Sequence, residues 1–180
     1  MIVDHVRDSA RSLPEVVDPS AVTAMRVWHC KYRSLEGLGE YVNMQVLVVA
    51  SYPDASLEPV SGLKALRYLG VLHLPEVNDL SPLAANASLE TLRLATLPSW
   101  DSSGRTTTVE SLEPLTALPA LRHLELLGIV PSDSSLAPLE RCSSLRSVRL
   151  SKYPPDEVDR FYAARRVDRE HAPGPPVDDW

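Results

Sequence analysis

Residues 63–94, LKALRYLGVLHLPEVNDLSPLAANASLETLRL, contain two copies of one pattern of apolar residues. Each copy has a large aliphatic residue at its first, fourth and sixth positions: Leu66, Leu69 and Val71, then Leu89, Leu92 and Leu94. Apolar residues that alternate with variable ones are typical of a β-strand with one buried face. The stretch therefore predicts a short strand that recurs after 23 residues.

The same triplet occurs six times along the chain. The first residues of the six units are separated by 22, 22, 23, 32 and 24 residues: Val22, Met44, Leu66, Leu89, Leu121 and Leu145. Leucine is concentrated in this region, where residues 35–150 hold 26 of the 27 leucines. One such unit cannot bury its own apolar edge, so we expect the units to stack as a solenoid.

The second half of each unit has its own signature, a leucine followed two residues later by a proline and then by an aliphatic residue. It reads LEPV at 57–60, LSPL at 80–83, LEPL at 112–115 and LAPL at 136–139. Proline suits the first position of a helical turn because its φ is fixed and it has no amide hydrogen to leave unpaired. In the first unit Gly37 occupies the proline position. Each unit is therefore predicted to be a strand followed by a short helical return.

The combined pattern resembles the leucine-rich repeat, specifically the 22-residue bacterial type found in internalins, over roughly residues 22–153. The resemblance implies an α/β solenoid of about six repeats, with a curved parallel sheet on the concave side and short helical or 3₁₀ returns on the convex side. The family often places Asn at the ninth position of each unit. Here that position holds other residues: Cys30, Tyr52, Leu74, Leu97, Ile129 and Tyr153. We expect apolar packing to replace the polar ladder.

The two ends depart from the repeat, and we predict a cap at each. Residues 1–21 form the N-terminal cap, residues 22–153 the solenoid, residues 154–169 a C-terminal capping helix and residues 170–180 a flexible tail. The helix has acidic residues early and arginines late, which suits the helix dipole. Its Val158, Phe161 and Tyr162 share one face. The tail is rich in Pro and Gly, as frayed termini often are.

One unit is about ten residues longer than its neighbours. The excess lies near residues 98–108, PSWDSSGRTTT, and is rich in Ser and Thr. Solenoids accommodate insertions in loops, often on the binding face. Two interpretations remain open: a tolerated surface insertion, or a functional loop that keeps Trp100 exposed for use.

The concave face offers a candidate binding surface. Strand positions three, five and seven point away from the core, and they are apolar or aromatic in the early units and charged in the later ones. Gly70 leaves a notch between Val48 and Arg93. An apolar floor beside arginines is typical of an interface centre. With the insertion, the candidate partner-binding residues are Arg26, Trp28, Val48, Tyr68, Gly70, Leu72, Arg93, Trp100, His123, Glu125 and Arg149. The alternatives are a surface ion-pair ladder and an apolar patch covered by residues 1–21.

The sequence gives little support for a catalytic function or a metal site. No nucleophile, zinc-protease, Walker or dinucleotide motif occurs. His29 and His73 would lie about 9.5 Å apart on strand spacing, too far to share a metal. Cys30 and Cys142 would lie about 19 Å apart, so we predict no disulfide. We predict no catalytic residue, no cofactor and no metal.

Composition narrows the classes of partner and compartment. A net charge of −6 and a pI near 5.3 argue against nucleic-acid binding. No apolar run reaches 18 residues, so we expect no membrane span. The acidic start does not have the pattern of a signal peptide, which predicts a cytoplasmic protein. We also expect the free protein to be a monomer.

Two functions remain. The first is a non-catalytic module that binds one protein partner on its concave face, as an adaptor, an inhibitor or an immunity-type protein that sequesters a toxin or an enzyme. The alternative is an enzyme or enzyme subunit that uses the inserted loop and the concave-face His123.

Overall fold

The computed structural model describes residues 1–177 and 180. Within those residues, seven parallel strands form one sheet in which strands from successive repeat units are neighbours. They are β1 (Ile2–Val6), β2 (Ala24–Trp28), β3 (Val46–Ala50), β4 (Tyr68–Leu72), β5 (Thr91–Ala95), β7 (His123–Leu127) and β9 (Ser147–Ser151). A separate two-stranded sheet pairs β6 (Thr107–Val109) with β8 (Ile129–Pro131). The predicted leucine-rich repeat solenoid is confirmed.

The register of the main sheet follows the repeat. Equivalent positions of neighbouring units are paired, as with Leu47, Leu69 and Leu92 on three successive strands. These side chains at position four are fully buried, and those at position six are buried beside them. Because side chains alternate across a strand, positions three, five and seven point to the opposite, concave face.

The prediction of six stacked strands is wrong by one, because residues 1–21 supply β1. This strand pairs with β2 in the register of the repeat, with Ile2 opposite Ala24. Its inward positions hold Val3 and His5, both half-buried, in place of two large aliphatic residues. The N-terminal segment thus covers the first unit as a further strand, one whose sequence lacks the leucine signal.

The convex returns are short helices, as predicted. They are 3₁₀-helices at Pro19–Ala21, Glu36–Glu40, Ser81–Ala85 and Glu113–Ala117, and α-helices α1 (Glu58–Ser61) and α3 (Ala137–Glu140). Proline stands in the first turn of most of them. Each return after β2 also places one aliphatic residue in the core: Leu38, Val60, Leu83, Leu115 and Leu139.

Most strands of the sheet are followed by a residue in the left-handed backbone conformation. At the eighth position of five of the six units, and at the equivalent position after β1, φ lies between 52° and 71°: Arg7, His29, Ser51, His73, Gly128 and Lys152. This backbone conformation turns the chain out of the sheet toward the next return. At Gly128 a side chain is also excluded by space, since an added Cβ would lie 2.5 Å from Thr96 Oγ1.

The ninth-position side chains pack largely into the core. Tyr52, Leu74, Ile129 and Tyr153 are buried. The Tyr153 hydroxyl donates a hydrogen bond to the carbonyl of Ile129 at 2.8 Å. Aliphatic and aromatic side chains thus occupy the turn side.

The insertion is folded. It contains α2 (Pro98–Ser102) and β6, which pairs with β8 of the next unit. Thr107 and Val109 are buried in that pairing. The segment is therefore an integral part of the turn side of the solenoid.

Helix α4 (Pro155–Ala164) closes the C-terminal end of the core. Phe161 is fully buried there, and Val158 and Tyr162 pack beside it. The chain then returns along the outer edge of β9, where Asp168 bridges Ser147. Among the described residues, no helix is both long enough and apolar enough to cross a membrane.

Candidate binding surface on the concave face

The C-terminal tail lies against the concave face. Val177 and Trp180 pack on the third-position side chains of three neighbouring strands. We call these residues the concave cluster: Ala24, Val46, Tyr68, Val48, Val177 and Trp180. We expected a flexible tail at residues 170–180. Val177 and Trp180 of this tail contact the sheet, and residues 178 and 179 lie outside the described part of the chain.

This contact changes the accessibility of the face. Position three was expected to be exposed, yet Tyr68 is only 4% exposed, and Ala24 and Val46 are buried with it. Tyr68, which the sequence suggested as a partner-binding residue, is therefore covered by the chain itself.

Beside the concave cluster lies a cavity of about 410 Å³, which we call the groove. Its lining includes most of the residues that the sequence suggested, together with two from the tail: Arg26, Trp28, Val48, Tyr68, Gly70, Val71, Leu72, Arg93, Ala95, Glu125, Pro175 and Trp180. Strands β2, β3, β4, β5 and β7 position most of these side chains, because positions five and seven of each unit point into the groove.

A carboxylate flanked by two arginines forms the charged end of the groove. The Glu125 side chain is 3% exposed and accepts hydrogen bonds from Arg93 Nε at 3.0 Å and Arg149 Nη1 at 2.5 Å. Arg93 Nη1 also donates to the Tyr68 hydroxyl at 3.3 Å. Burial raises the pKa of Tyr68, and the Arg93 hydrogen bond opposes this shift. Arg149 thus belongs to the site through Glu125.

The opposite end of the groove carries a second ion pair. Arg26 Nε donates to Asp4 Oδ1 at 2.8 Å. The Arg26 guanidinium also lies 5.6 Å from the centroid of the Trp180 ring, within the range of a cation–π interaction. This arginine therefore connects the N-terminal strand to the end of the tail.

The expected notch at Gly70 is smaller than the sequence suggested. A Cβ added to Gly70 would lie 3.3 Å from Tyr68 Cε1 and 3.8 Å from Val48 Cγ2. The Tyr68 ring thus occupies space that we had assigned to a partner side chain. Glycine allows this ring to lie close to the neighbouring backbone.

His123 lies outside the groove. It lines a second cavity of about 630 Å³ on the other side of the tail, with Pro173, Gly174 and Val177. Its Nδ1 is 2.8 Å from Ser147 Oγ, and its ring contacts that of His171 with centroids 5.1 Å apart. Burial, followed by the nearby His171, lowers the pKa of His123.

Trp100 is also separate from the groove. Its ring contacts His73 edge-on with centroids 4.9 Å apart, and Arg105 lies over it at 5.8 Å. The structure therefore does not bring the insertion together with His123, as the enzyme alternative requires. The hydroxyl next to His123 belongs to Ser147, which is 1% exposed and so poorly placed to meet a substrate.

Sequence reasoning missed Asp4, Pro175 and Trp180. Trp180 had a usable signal, because a large aromatic residue in a polar, proline-rich segment is costly to leave in water. In the part of the chain that the structure describes, no three His, Cys, Asp or Glu side chains are grouped as metal ligands. Cys30 and Cys142 are both free.

The parallel sheet, the short returns and the repeat register define a leucine-rich repeat solenoid of the internalin type. The structure is similar to that of internalin C2 (InlC2) from Listeria monocytogenes str. 4b F2365, with 26% sequence identity and a TM-score of 0.56. That match covers 73% of this chain and 53% of internalin C2, so the chain corresponds to about half of that protein's length.

A second internalin, InlF of the same strain, matches over 87% of this chain and 72% of its own at 15% identity. Its TM-score of 0.24 is too low to indicate a shared arrangement. No protein-family model matches the chain, and neither does any curated protein.

Proposed function

We propose that this chain is a non-catalytic protein-interaction module that binds one protein partner on its concave face. The observation that carries the proposal is the groove, which combines partly exposed Trp28 and Leu72 with Arg26 and Arg93 in one concavity. Aromatic and arginine side chains dominate the energetics of interface centres. Leucine-rich repeat solenoids use their extended concave surfaces for binding.

The fixed arrangement of the groove favours binding. Its side chains project from hydrogen-bonded strands, and Glu125 holds Arg93 and Arg149 in place through hydrogen bonds. Groups that are ordered before binding lose less conformational entropy when a partner arrives. The groove can therefore present an arginine beside an apolar floor at low entropic cost.

The proposed role is that of an adaptor, an inhibitor or an immunity-type protein that sequesters a toxin or an enzyme. The net charge of −6 favours association with a partner that has a basic surface. We further propose that the protein acts as a monomer in the cytoplasm. Its two free cysteines are compatible with a reducing compartment.

The test begins with isolation of the partner by affinity capture of the tagged full chain from its native cell, followed by mass spectrometry. Titration of that partner against Trp28→Ala and Leu72→Arg should show a loss of affinity of about tenfold or more. Val42→Ala is the matched control, because Val42 is 54% exposed and lies after the convex return at Glu36–Glu40. If Trp100→Ala weakens binding while both groove variants bind normally, the insertion is the binding site and the proposal is wrong.

A further inference from the structure

We infer that the concave face beside the groove, where Val46 and Tyr68 lie, binds a short proline-rich peptide segment with an aliphatic and an aromatic residue, and that the chain's own tail occupies this site. From here on the tail means residues 173–180, and every statement on its placement concerns residues 173–177 and 180. A partner segment of this chemistry would have to displace it. The inference rests on the proposed function, since it names the kind of partner that the concave face accepts.

The tail is placed as a peptide ligand would be. Pro175 and Trp180 form part of the groove wall, and Val177 packs on Val46 and Tyr68 in the concave cluster. Arg26 lies over the Trp180 ring. The occupant thus supplies an aliphatic and an aromatic side chain, three positions apart, to an apolar surface with a cation beside it.

The contact between the tail and the concave face is separate from the packing of the main core. The concave cluster is distinct from the main core, on the other face of the sheet. Concavities of about 410 and 630 Å³ that are open to solvent lie on the two sides of the tail, and Val177 and Trp180 are only partly buried. Pro173, Pro175 and Pro176 have no amide hydrogen and so cannot donate hydrogen bonds to the sheet. A partly buried, proline-rich cover can leave without unfolding the solenoid.

The chemistry of the occupant indicates the chemistry of the partner. Proline-rich segments lose little conformational entropy on binding, and aromatic-lined grooves recognise them repeatedly. Trp28 and Tyr68 provide aromatic side chains in this groove. A protein segment with prolines before a valine, and a tryptophan three residues after that valine, would reproduce the contacts that the tail makes.

The tether makes the tail an effective competitor. Asp168 is bonded to the edge of β9, so only residues 169–172 separate this fixed point from the tail. A short tether gives an effective concentration on the order of millimolar. A segment with an intrinsic Kd of about 0.1 mM would then occupy the groove about 90% of the time, and a free peptide would bind the closed chain about tenfold more weakly.

The experiment uses the full chain with its tail either intact or detached by the double substitution Val177→Asp and Trp180→Ala. The probe is a fluorescein-labelled decapeptide, HAPGPPVDDW, which has the sequence of residues 171–180. Fluorescence polarisation should show at least tenfold tighter binding to the tail-detached variant than to the wild type. Adding Leu72→Arg to that variant should abolish the gain.

Control peptides test separately whether binding depends on the order of the residues and on the tryptophan. A scrambled peptide of the same composition, and a peptide with its tryptophan replaced by alanine, should each bind the tail-detached variant at least fivefold more weakly. The protein control is Val42→Asp, which adds a negative charge at an exposed convex position. Circular dichroism should show an unchanged fold for each variant, and Val177→Asp alone, which leaves the groove residues intact, provides a milder opening should the double variant misfold.

Three results would overturn the inference. The first is equal peptide affinity for the wild type and a folded tail-detached variant, and the second is equal binding of the scrambled peptide. The third is a concentration-dependent dimer of the wild type that the double substitution dissociates, since the occupant would then be the tail of a second copy. If the peptide fails but the captured partner still responds to Trp28→Ala, the inference falls and the proposed function stands. If the peptide binds but Trp28→Ala leaves the affinity for the captured partner unchanged, the inference stands and the proposed function is wrong.

Discussion

The main core and the concave cluster lie on opposite faces of the same sheet and arise in different ways. In the main core, aliphatic residues at positions one, four and six of each unit stack in register from one end of the solenoid to the other. In the concave cluster, three third-position residues are covered by Val177 and Trp180, which belong to no repeat. A repeated pattern thus encodes the main core many times over, whereas the concave cluster depends on one contact with a distant segment.

The largest expected effect is on the main core. Leu92→Ala should lower the free energy of unfolding by about 2 to 5 kcal/mol, because Leu92 is fully buried in a central strand and its truncation leaves a cavity. Arg93→Ala, the next residue on the same strand, should cost about 1 kcal/mol, since its guanidinium is partly exposed and Glu125 retains Arg149. Urea denaturation of both variants measures the difference. Equal losses would contradict the assignment of inner and outer faces.

The contrast explains how much of the fold could be predicted. The regular recurrence of positions one, four and six was sufficient for β2, β3, β4, β5, β7 and β9 and for their returns. Strand β1 was not predicted from the sequence, because His5 occupies a position where the repeat requires an aliphatic residue. Val3 is the only large aliphatic residue of this strand that points inward. Strand β1 is formed by pairing with β2 at the edge of the sheet, and a local sequence pattern does not indicate such a pairing.

The next effect concerns the buried carboxylate of the groove. Substituting both Arg93 and Arg149 with alanine should lower the free energy of unfolding by about 2 to 3 kcal/mol, because it leaves the Glu125 carboxylate buried without either partner. The two single substitutions should together cost less than the double one, since each leaves one arginine in place. A double-mutant cycle in urea measures this coupling. Strict additivity would mean that water already reaches Glu125.

A smaller effect is expected in the concave cluster itself. Trp180→Ala should lower the free energy of unfolding by about 1 kcal/mol, because the ring is only partly buried and terminal contacts open locally. Phe161→Ala, in the main core, is the matched aromatic truncation and should cost about 3 to 5 kcal/mol. Thermal and urea denaturation compare the two. A loss at Trp180 as large as that at Phe161 would mean that the tail is an integral part of the core.

The candidate site was predicted less completely than the fold, for the same reason. Alternation along each strand was sufficient to suggest Arg26, Val48 and Arg93 as neighbours facing away from the core. It could not reveal that Tyr68 is covered, because the cover comes from residues more than 100 positions later in the chain. The Gly70 notch was overestimated because side-chain position alone does not indicate where the Tyr68 ring lies.

The smallest effect tests where His171, in the tether just before the tail, lies. In the folded chain burial and the neighbouring His171 lower the pKa of His123, so the unfolded chain binds more protons between that pKa and about 6.5. The contribution of His123 to stability is therefore present above pH 6.5 and is lost as pH falls toward the folded pKa. His171→Ala removes the second cause, so the pKa of His123 should rise while burial still holds it below its usual value.

An NMR titration of the imidazole resonances measures this shift between pH 4 and pH 8. His29→Ala is the matched control, because it removes a histidine that lies at the end of β2, away from the ring contact between His123 and His171. The control should leave the pKa of His123 unchanged. An unchanged or lowered pKa of His123 in His171→Ala would mean that the tether at residues 169–172 does not lie beside β7 in solution. The contact of Val177 and Trp180 with the concave cluster would then depend on the Trp180→Ala comparison alone.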